Sequence, residues 1–187
     1  MFPELTSDDV FRLETARLWL RWPRQSDAPT IMRLAGDKAV SEMTAKLPHS
    51  LTKEAAEQFV FEARRANAGG ASLTLMACLR EKPDQVIGLV SIFRSDDGET
   101  PQIGYWLAKR SWGQGLMTEI IHATLDMFFF LTGEPVLHAS TRLNNPASRR
   151  VLEKCAFEFE GEGFYEAADG RNFVVHNYRV TRDAWLR

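Results

Sequence analysis

The chain has few cysteine and histidine residues, and their spacing fits no common metal or disulfide motif. Its 187 residues include only Cys78 and Cys155, far apart in the sequence, and four scattered histidines. No C-x-x-C pair and no zinc-ligand spacing is present, so we expect no metal cofactor. Two isolated cysteines are typical of a reducing compartment, and we expect a cytoplasmic location.

An excess of charge of one sign and a long apolar run are also lacking. Lys and Arg number 23 and Asp and Glu number 25, which gives a formal net charge of −2. Without a basic cluster, neither a nucleic acid nor a membrane surface is expected as a partner. The most apolar window, residues 125–131, is too short to span a bilayer, and Glu4, Asp8 and Asp9 do not fit a signal peptide.

Apolar residues, in contrast, are abundant: they make up 44% of the chain, which has 12 Phe and 5 Trp. This content and the length predict one globular α/β domain over residues 1–187. Apolar alternation and apolar runs predict strands at 13–21, 73–79, 86–93, 103–107, 136–141, 157–161 and 172–180. Helical periodicity and capping residues predict helices at 26–34, 52–67, 118–131 and 147–155.

The order of these elements predicts a mixed sheet with helices on its faces. A turn signal at Asp96-Asp97-Gly98 makes the strands at 73–79, 86–93 and 103–107 an antiparallel meander. The later alternation of helices and strands predicts a strand-helix-strand crossover. We therefore expect a mixed, mostly antiparallel sheet of roughly six to seven strands flanked by helices.

The most informative segment is a glycine loop between a predicted strand and a predicted helix. Trp112-Gly113-Gln114-Gly115 follows the strand at 103–107, and Thr118 and Glu119 begin a long apolar segment. Glycines let the backbone approach a ligand closely, and the first turn of a helix offers free N–H groups. The loop therefore either binds an anion, most often phosphate, or merely turns the chain. It matches neither G-x-x-x-x-G-K-[S/T] nor G-x-G-x-x-G, so backbone amides would hold the phosphate.

A second informative segment, residues 142–157, opens another helix. Asn145 is a good N-cap, Pro146 suits the first helical position, and Ser148 falls within the first turn. Taken alone, these residues indicate either a simple helix cap or a polar site. Their position one strand beyond the glycine loop favours a site.

Together these segments resemble the GNAT superfamily of acyl-CoA-dependent N-acetyltransferases. Within it, the chain is most similar to the group that includes the alanine acetyltransferases acting on ribosomal-protein N-termini. The resemblance extends in family order from residue 15 to residue 157. The segments that carry it are residues 15–21 (TARLWLR), 103–107 (IGYWL), 112–119 (WGQGLMTE) and 145–154 (NPASRRVLEK).

The resemblance implies that acetyl-CoA lies in a cleft between a splayed pair of strands, 103–107 and 136–141. The family signature is [Q/R]-x-x-G-x-[G/A], which residues 110–115 match literally. The spacing from Leu107 instead favours Trp112 at its first position, Gly115 as its glycine and Met117 at its last. The residues implied to contact the cofactor are Trp106, Leu107, Trp112, Gly113, Gln114, Gly115, Leu116, Met117, Thr118, Asn145 and Ser148.

The resemblance also implies direct attack of an amine on the thioester. Ser148 takes the position of the general acid that donates a proton to the departing thiolate. Two carboxylates are candidates for the base that deprotonates the amine: Glu119 at the start of the helix, and Glu166 in the turn before the last strand. Each is equally explained as a solvated carboxylate or as a helix-start charge.

The resemblance implies a primary amine as the acceptor, either a protein N-terminus or a small molecule such as a polyamine or an aminoglycoside. Residues 41–51 and 164–172 are expected to form its site, in a monomer or a homodimer. A non-enzymatic acyl-CoA-binding module on the same fold is the alternative, favoured by Met117 and by Cys155-Ala156-Phe157. A nucleotide-phosphate enzyme is a third hypothesis.

Overall fold

The computed structural model describes residues 11–44, 51–95, 98–166, 170 and 172–187. The strands are β1 (Arg12–Glu14), β2 (Leu18–Arg21), β3 (Leu73–Leu79), β4 (Lys82–Arg94), β5 (Pro101–Leu107), β6 (Val136–Arg142), β7 (Glu158–Glu166) and β8 (Asn172–Thr181). The α-helices are α1 (Ala28–Ala35), α2 (Lys38–Ser41), α3 (Lys53–Ala68), α4 (Leu116–Leu131), α5 (Pro146–Lys154) and α6 (Arg182–Trp185). Short 3-10 helices occupy Gln25–Asp27 and Lys109–Ser111.

All the described strands belong to one sheet. The spatial order is β1-β2-β3-β4-β5-β6-β8-β7, eight strands in all. Every neighbouring pair is antiparallel except β5 and β6, which are parallel and joined through α4. The mixed, mostly antiparallel sheet and the β3-β4-β5 meander are confirmed. Residues 96–97 of the predicted turn lie outside the described residues.

The predicted count of six to seven strands is too low, because the first hairpin was predicted as a single strand. Residues 13–21 were expected to form a single strand, but the chain reverses between Glu14 and Leu18. The Thr15 N–H donates to the Leu18 carbonyl oxygen, and the Leu18 N–H donates to the Thr15 hydroxyl at 3.0 Å. This turn contains no glycine or proline, so the usual turn signals do not reveal it.

The edge strand β7 is also longer than expected. It runs to Glu166 and pairs with β8 up to Asn172. Glu166 therefore lies in a strand and not in the turn that the sequence predicted. Gly161 and Gly163 weaken the strand pattern in the sequence, so the predicted strand ended early. In the structure Phe164 and Tyr165 still pair with β8.

The central parallel pair separates soon after it begins. β5 and β6 are in register at Gln102–His138 and Ile103–Ala139, and at no later position in these two strands. Each strand keeps its other neighbour, β4 or β8, over its length. The predicted splayed pair is confirmed, and it leaves the facing edges of β5 and β6 open beyond Ile103.

Helices cover both faces of the sheet. On one face α4 buries Ile120, Ile121, Leu125 and Phe128 completely against the sheet. On the other face α1 and α3 pack on β3 and β4. These two layers hold β5 and the start of α4 in place and so position the glycine loop. In the part of the chain that the structure describes, no helix is long and apolar enough to span a membrane.

Candidate active site

The glycine loop places an uncapped helix end at the open edge of β5. Gly113 and Gly115 have φ angles of +74° and +73°, which favour glycine. Gly115 is the N-cap of α4, and no side chain caps the helix there. An added Cβ at Gly113 would meet no atom within 4 Å. The amides of Leu116 and Met117 therefore stand at a helix start suited to an anion.

Trp112 links this loop to the end of β5. Its indole N–H donates to the Leu107 carbonyl oxygen at 2.7 Å, and the residue is 43% exposed. Because the bond ties the loop to the strand that precedes it, the loop conformation depends on the strand end. This bond gives Trp112 a structural role in the loop, and its place at the first position of the signature stays a prediction.

The amides of β5 alternate between β4 and the open cleft. Ala108 donates its N–H to the Ile87 carbonyl at the start of the β4 ladder. Amides in a strand point to alternate sides, so the Trp106 amide also points to β4 and the Leu107 amide to the cleft. The Trp106 side chain is buried beneath α1 and α3. Of the two predicted amide contacts, the geometry favours Leu107.

The start of α5 carries the other predicted polar residues. The Asn145 side chain accepts from the Ser148 N–H at 3.1 Å, so the predicted cap is confirmed, and Pro146 opens the helix. The Ser148 Oγ shares a hydrogen bond with the Tyr105 hydroxyl at 2.9 Å. This contact joins α5 to β5 across 43 residues of sequence. It places Ser148 over the strand that lines the cleft.

Tyr105 was not predicted as a site residue. Burial raises the pKa of its phenol, and the hydrogen bond with Ser148 only partly opposes that shift. The phenol is therefore neutral at physiological pH and able to donate a hydrogen bond. In the sequence, Tyr105 lies two residues before Leu107 and on the same strand face as Ile103. This alternation is the pattern that indicates Tyr105 as a residue of the site.

Glu119 lies on α4 but is fully engaged with the first hairpin. Its carboxylate accepts from the Thr15 hydroxyl at 2.6 Å, from the Arg17 N–H at 2.9 Å and from Arg17 Nε at 2.6 Å. Burial opposes ionisation of this carboxyl, but these hydrogen bonds outweigh burial and lower its pKa. A carboxylate so stabilised is a weak base.

Glu166, the second candidate base, is exposed at the end of β7. Among the described residues, no ion pair occupies its carboxylate, and no hydrogen bond joins Glu119 or Glu166 to Ser148. The predicted acceptor segments, 41–51 and 164–172, include residues 45–50, 167–169 and 171, which lie outside the described ranges. The roles of both glutamates stay predictions.

Both cysteine thiols are buried. Burial raises the pKa of Cys78 to about 11 and that of Cys155 to about 12, so neither thiol is a ready nucleophile. No group of three His, Cys, Asp or Glu side chains in the described part of the chain is placed to hold a metal ion.

Comparison with known proteins identifies the family. The sequence profile of the acetyltransferase (GNAT) domain matches residues 17–158. The probable N-acetyltransferase YjcK of Bacillus subtilis is 39% identical over 80 residues, which span 42% of this chain and 44% of that protein. The uncharacterized N-acetyltransferase p20 of Bacillus licheniformis is 24% identical over 172 residues, 91% of this chain and 96% of that protein.

A solved structure shows the same fold. RimL, the ribosomal L7/L12 alpha-N-protein acetyltransferase, in complex with coenzyme A, superposes with a TM-score of 0.77 at 19% identity. The superposition covers 93% of this chain and 99% of that one. The profile match covers most of the sequence, and the splayed strands and the uncapped glycine loop agree with it. The chain therefore belongs to the GNAT acetyltransferase family.

Proposed function

We propose that the chain is a single N-acetyltransferase domain that transfers an acetyl group from acetyl-CoA to a primary amine. The observation that carries this proposal is the open cleft between β5 and β6, which lies between the uncapped glycine loop and Ser148. One end of this cleft suits a pyrophosphate, and a hydroxyl lies near the strand edge that would hold a thioester. RimL, whose fold this chain shares, is in complex with coenzyme A.

The cofactor would be held mainly by the backbone. Its pyrophosphate takes the amides of the glycine loop and the first turn of α4, where no side chain competes for them. The residues assigned to this part are Gly113, Gln114, Gly115, Leu116, Met117 and the Thr118 hydroxyl, with Trp112 bracing the loop. The pantetheine arm runs along β5 to Leu107 and reaches the Asn145 side.

The acyl transfer needs no covalent enzyme intermediate. The amine nitrogen attacks the thioester carbon, the new C–N bond forms, and the C–S bond breaks. The Leu107 amide stabilises the negative charge on the carbonyl oxygen of the tetrahedral intermediate. Ser148 gives its hydroxyl proton to the departing thiolate and regains one from solvent. Tyr105 donates to Ser148 Oγ and stabilises the negative charge that develops there.

The proton lost by the amine goes to a base, and we assign this role to Glu166. Glu119 is already bonded to Thr15 and Arg17, whereas Glu166 is exposed at the end of β7. Glu166→Gln should lower kcat/KM most at low pH, where fewer acceptor amines are deprotonated. Glu158→Gln, at the other end of the same strand, is the matched control. Equal pH profiles for both variants would contradict the assignment.

For the acceptor we propose a protein N-terminus, with small amines as the alternative. RimL is a ribosomal L7/L12 alpha-N-protein acetyltransferase, and its fold is shared over most of this chain. A screen should follow CoA-thiol release with N-terminal peptides, polyamines and aminoglycosides. Release with peptides alone supports the proposal, and release with small amines alone contradicts the choice of acceptor. Tight acetyl-CoA binding without any release identifies a binding module instead.

The catalytic assignment is tested at Ser148. Ser148→Ala should lower kcat by about a hundredfold, the effect of losing a general acid, and leave the Kd for acetyl-CoA nearly unchanged. Ser140→Ala, which removes an exposed hydroxyl bonded to Asn177 on β8, is the control. Unchanged kcat in Ser148→Ala would leave Ser148 as part of a helix cap only.

The glycine loop is tested by adding bulk. Gly115→Val should abolish acetyl-CoA binding, because the side chain strains a positive φ and fills the approach to the amides. Gly98→Val introduces the same strain at φ +78° in open space away from the loop. If calorimetry gave equal affinities for both variants, the loop would not be the pyrophosphate site.

A further inference from the structure

Arg17, in the turn of the first hairpin, forms a hydrogen bond with the glycine loop. Arg17 Nη1 donates to the Gln114 carbonyl oxygen at 2.9 Å, and Arg17 Nε donates to Glu119 at 2.6 Å. The Arg17 backbone N–H and the Thr15 hydroxyl donate to the same carboxylate. These contacts join residues about a hundred positions apart and connect the β1–β2 turn to the glycine loop and to the first turn of α4.

The bond to Gln114 orients the amide that follows it. A trans peptide is planar, and its C=O and N–H point in opposite directions. The Gln114 carbonyl points to Arg17, so the N–H of Gly115 points to the other side of the loop. Gly115 is in the left-handed region, where the peptide has no side chain to restrain it. Arg17 therefore supplies the restraint that the loop sequence lacks.

The ion pair also sets the charge beside the helix start. Glu119 lies in the first turn of α4, and its N–H donates to the Gly115 carbonyl. An uncompensated carboxylate there would repel an anion bound at the loop. Arg17 neutralises that charge, and its Nη2 lies 3.7 Å from the position of an added Cβ on Gly115. The pair thus keeps Glu119 from opposing an anionic ligand.

We propose that Arg17, held by Glu119 and Thr15, is a positioning residue that sets the Gly115 amide for the cofactor pyrophosphate. This inference rests on the proposed use of acetyl-CoA, and it assigns part of the cofactor binding to a residue outside the loop. It gives Glu119 a positioning role in place of proton transfer. The phosphate is bound by the amide, and Arg17 acts through the peptide plane of Gln114 and Gly115.

The test measures acetyl-CoA affinity by calorimetry together with kcat and KM. Arg17→Ala should weaken binding and raise the KM for acetyl-CoA by about tenfold, with kcat at saturation near the wild-type value. Adding Glu119→Gln to that variant should recover part of the affinity, because it removes the uncompensated charge. Arg12→Ala breaks another ion pair of the hairpin, with Glu14 at 2.9 Å, and should change neither quantity.

Arg17→Lys separates positioning from charge. A lysine keeps the positive charge but lacks the planar guanidinium that bonds Gln114 and Glu119 at once. It should bind acetyl-CoA more weakly than wild type and about as well as the double variant Arg17→Ala, Glu119→Gln, because the charge on Glu119 is compensated but the bond to Gln114 is lost. Wild-type affinity in this variant would overturn the positioning role. Equal affinity of Arg17→Ala and wild type overturns the inference and leaves the proposed function standing. Absence of acetyl-CoA binding by the wild-type protein overturns both.

Discussion

The hydroxyls of Tyr105 and Ser148 lie 2.9 Å apart and are the only described side-chain pair linking β5 to the first turn of α5 by a hydrogen bond. Burial raises the pKa of Tyr105, so the phenol stays protonated. A neutral phenol that donates to Ser148 leaves the serine hydrogen free to point into the cleft. In the proposed mechanism the phenol is the donor and the Ser148 oxygen is the acceptor of this hydrogen bond.

Tyr105→Phe tests this arrangement. Without the phenol, the Ser148 hydroxyl loses its orienting donor, and kcat should fall by about tenfold with little change in acetyl-CoA affinity. Tyr178→Phe, at a buried tyrosine in the same core, is the control. Steady-state kinetics with saturating acetyl-CoA measures the effect. A larger loss in Tyr178→Phe than in Tyr105→Phe would show that packing, and not orientation, is responsible.

The carboxyl of Glu119 makes stability depend on pH. Its pKa is lowered in the folded protein, so its contribution is complete above its unfolded pKa of about 4.3 and is lost as the pH falls through the lower folded value. Urea unfolding between about pH 2 and pH 6 should show a shallower acid loss of stability for Glu119→Gln than for wild type. Identical slopes would mean that the hydrogen bonds of Glu119 leave its pKa unchanged.

At the scale of elements, two helix starts share the same cap chemistry but differ in function. The Thr52 hydroxyl caps α3 by accepting from Ala55 at 3.1 Å, and the Asn145 side chain caps α5 by accepting from Ser148 at 3.1 Å. Both caps were predictable, because a cap acts over three residues of sequence. Only the cap of α5 lies at the proposed active site.

Replacing each cap with alanine separates stability from catalysis. Thr52→Ala and Asn145→Ala should each lower the free energy of unfolding by about 1 kcal/mol. Only Asn145→Ala should also lower kcat/KM, because it releases the turn that holds Ser148 and removes a proposed cofactor contact. Denaturant titration and initial rates distinguish the two effects. Similar activity losses in both variants would place the cause in general destabilisation.

At the scale of the whole molecule, one buried ion pair fastens the first hairpin to the helical layer. Arg21 on β2 donates to both carboxylate oxygens of Asp27, at 2.8 and 2.9 Å, just before α1. Arg21 and Asp27 are 7% and 4% exposed. Breaking such a pair leaves one charge buried without its partner, and that cost exceeds the worth of the pair itself.

Asp27→Ala should therefore lower the free energy of unfolding by about 3 kcal/mol or more. The double variant Arg21→Met, Asp27→Leu buries no charge and should recover much of that loss. Chemical denaturation of both variants provides the measurement, with Arg24→Ala, which breaks an exposed 3.5 Å pair with Asp84, as the control. A double variant no more stable than Asp27→Ala would contradict the explanation.

Local signals in the sequence predicted the elements that surround the site. The glycine loop, the cap at Asn145 and the β3-β4-β5 meander each depend on residues close together in the chain. Propensity and capping act over a few residues, so a sequence pattern is enough to reveal them. The turn at Thr15 escaped prediction because a threonine side chain closes it in place of glycine or proline.

The sequence by itself determined the mixed sheet, the loop and the helix start that carries Ser148. Only the tertiary structure decided that Tyr105 meets Ser148 across 43 residues and that Arg17 holds Glu119 across 102. Such pairs depend on strand order and on the splay of β5 from β6, which arise from packing of the entire sheet. No local pattern encodes which distant side chains that packing will bring together.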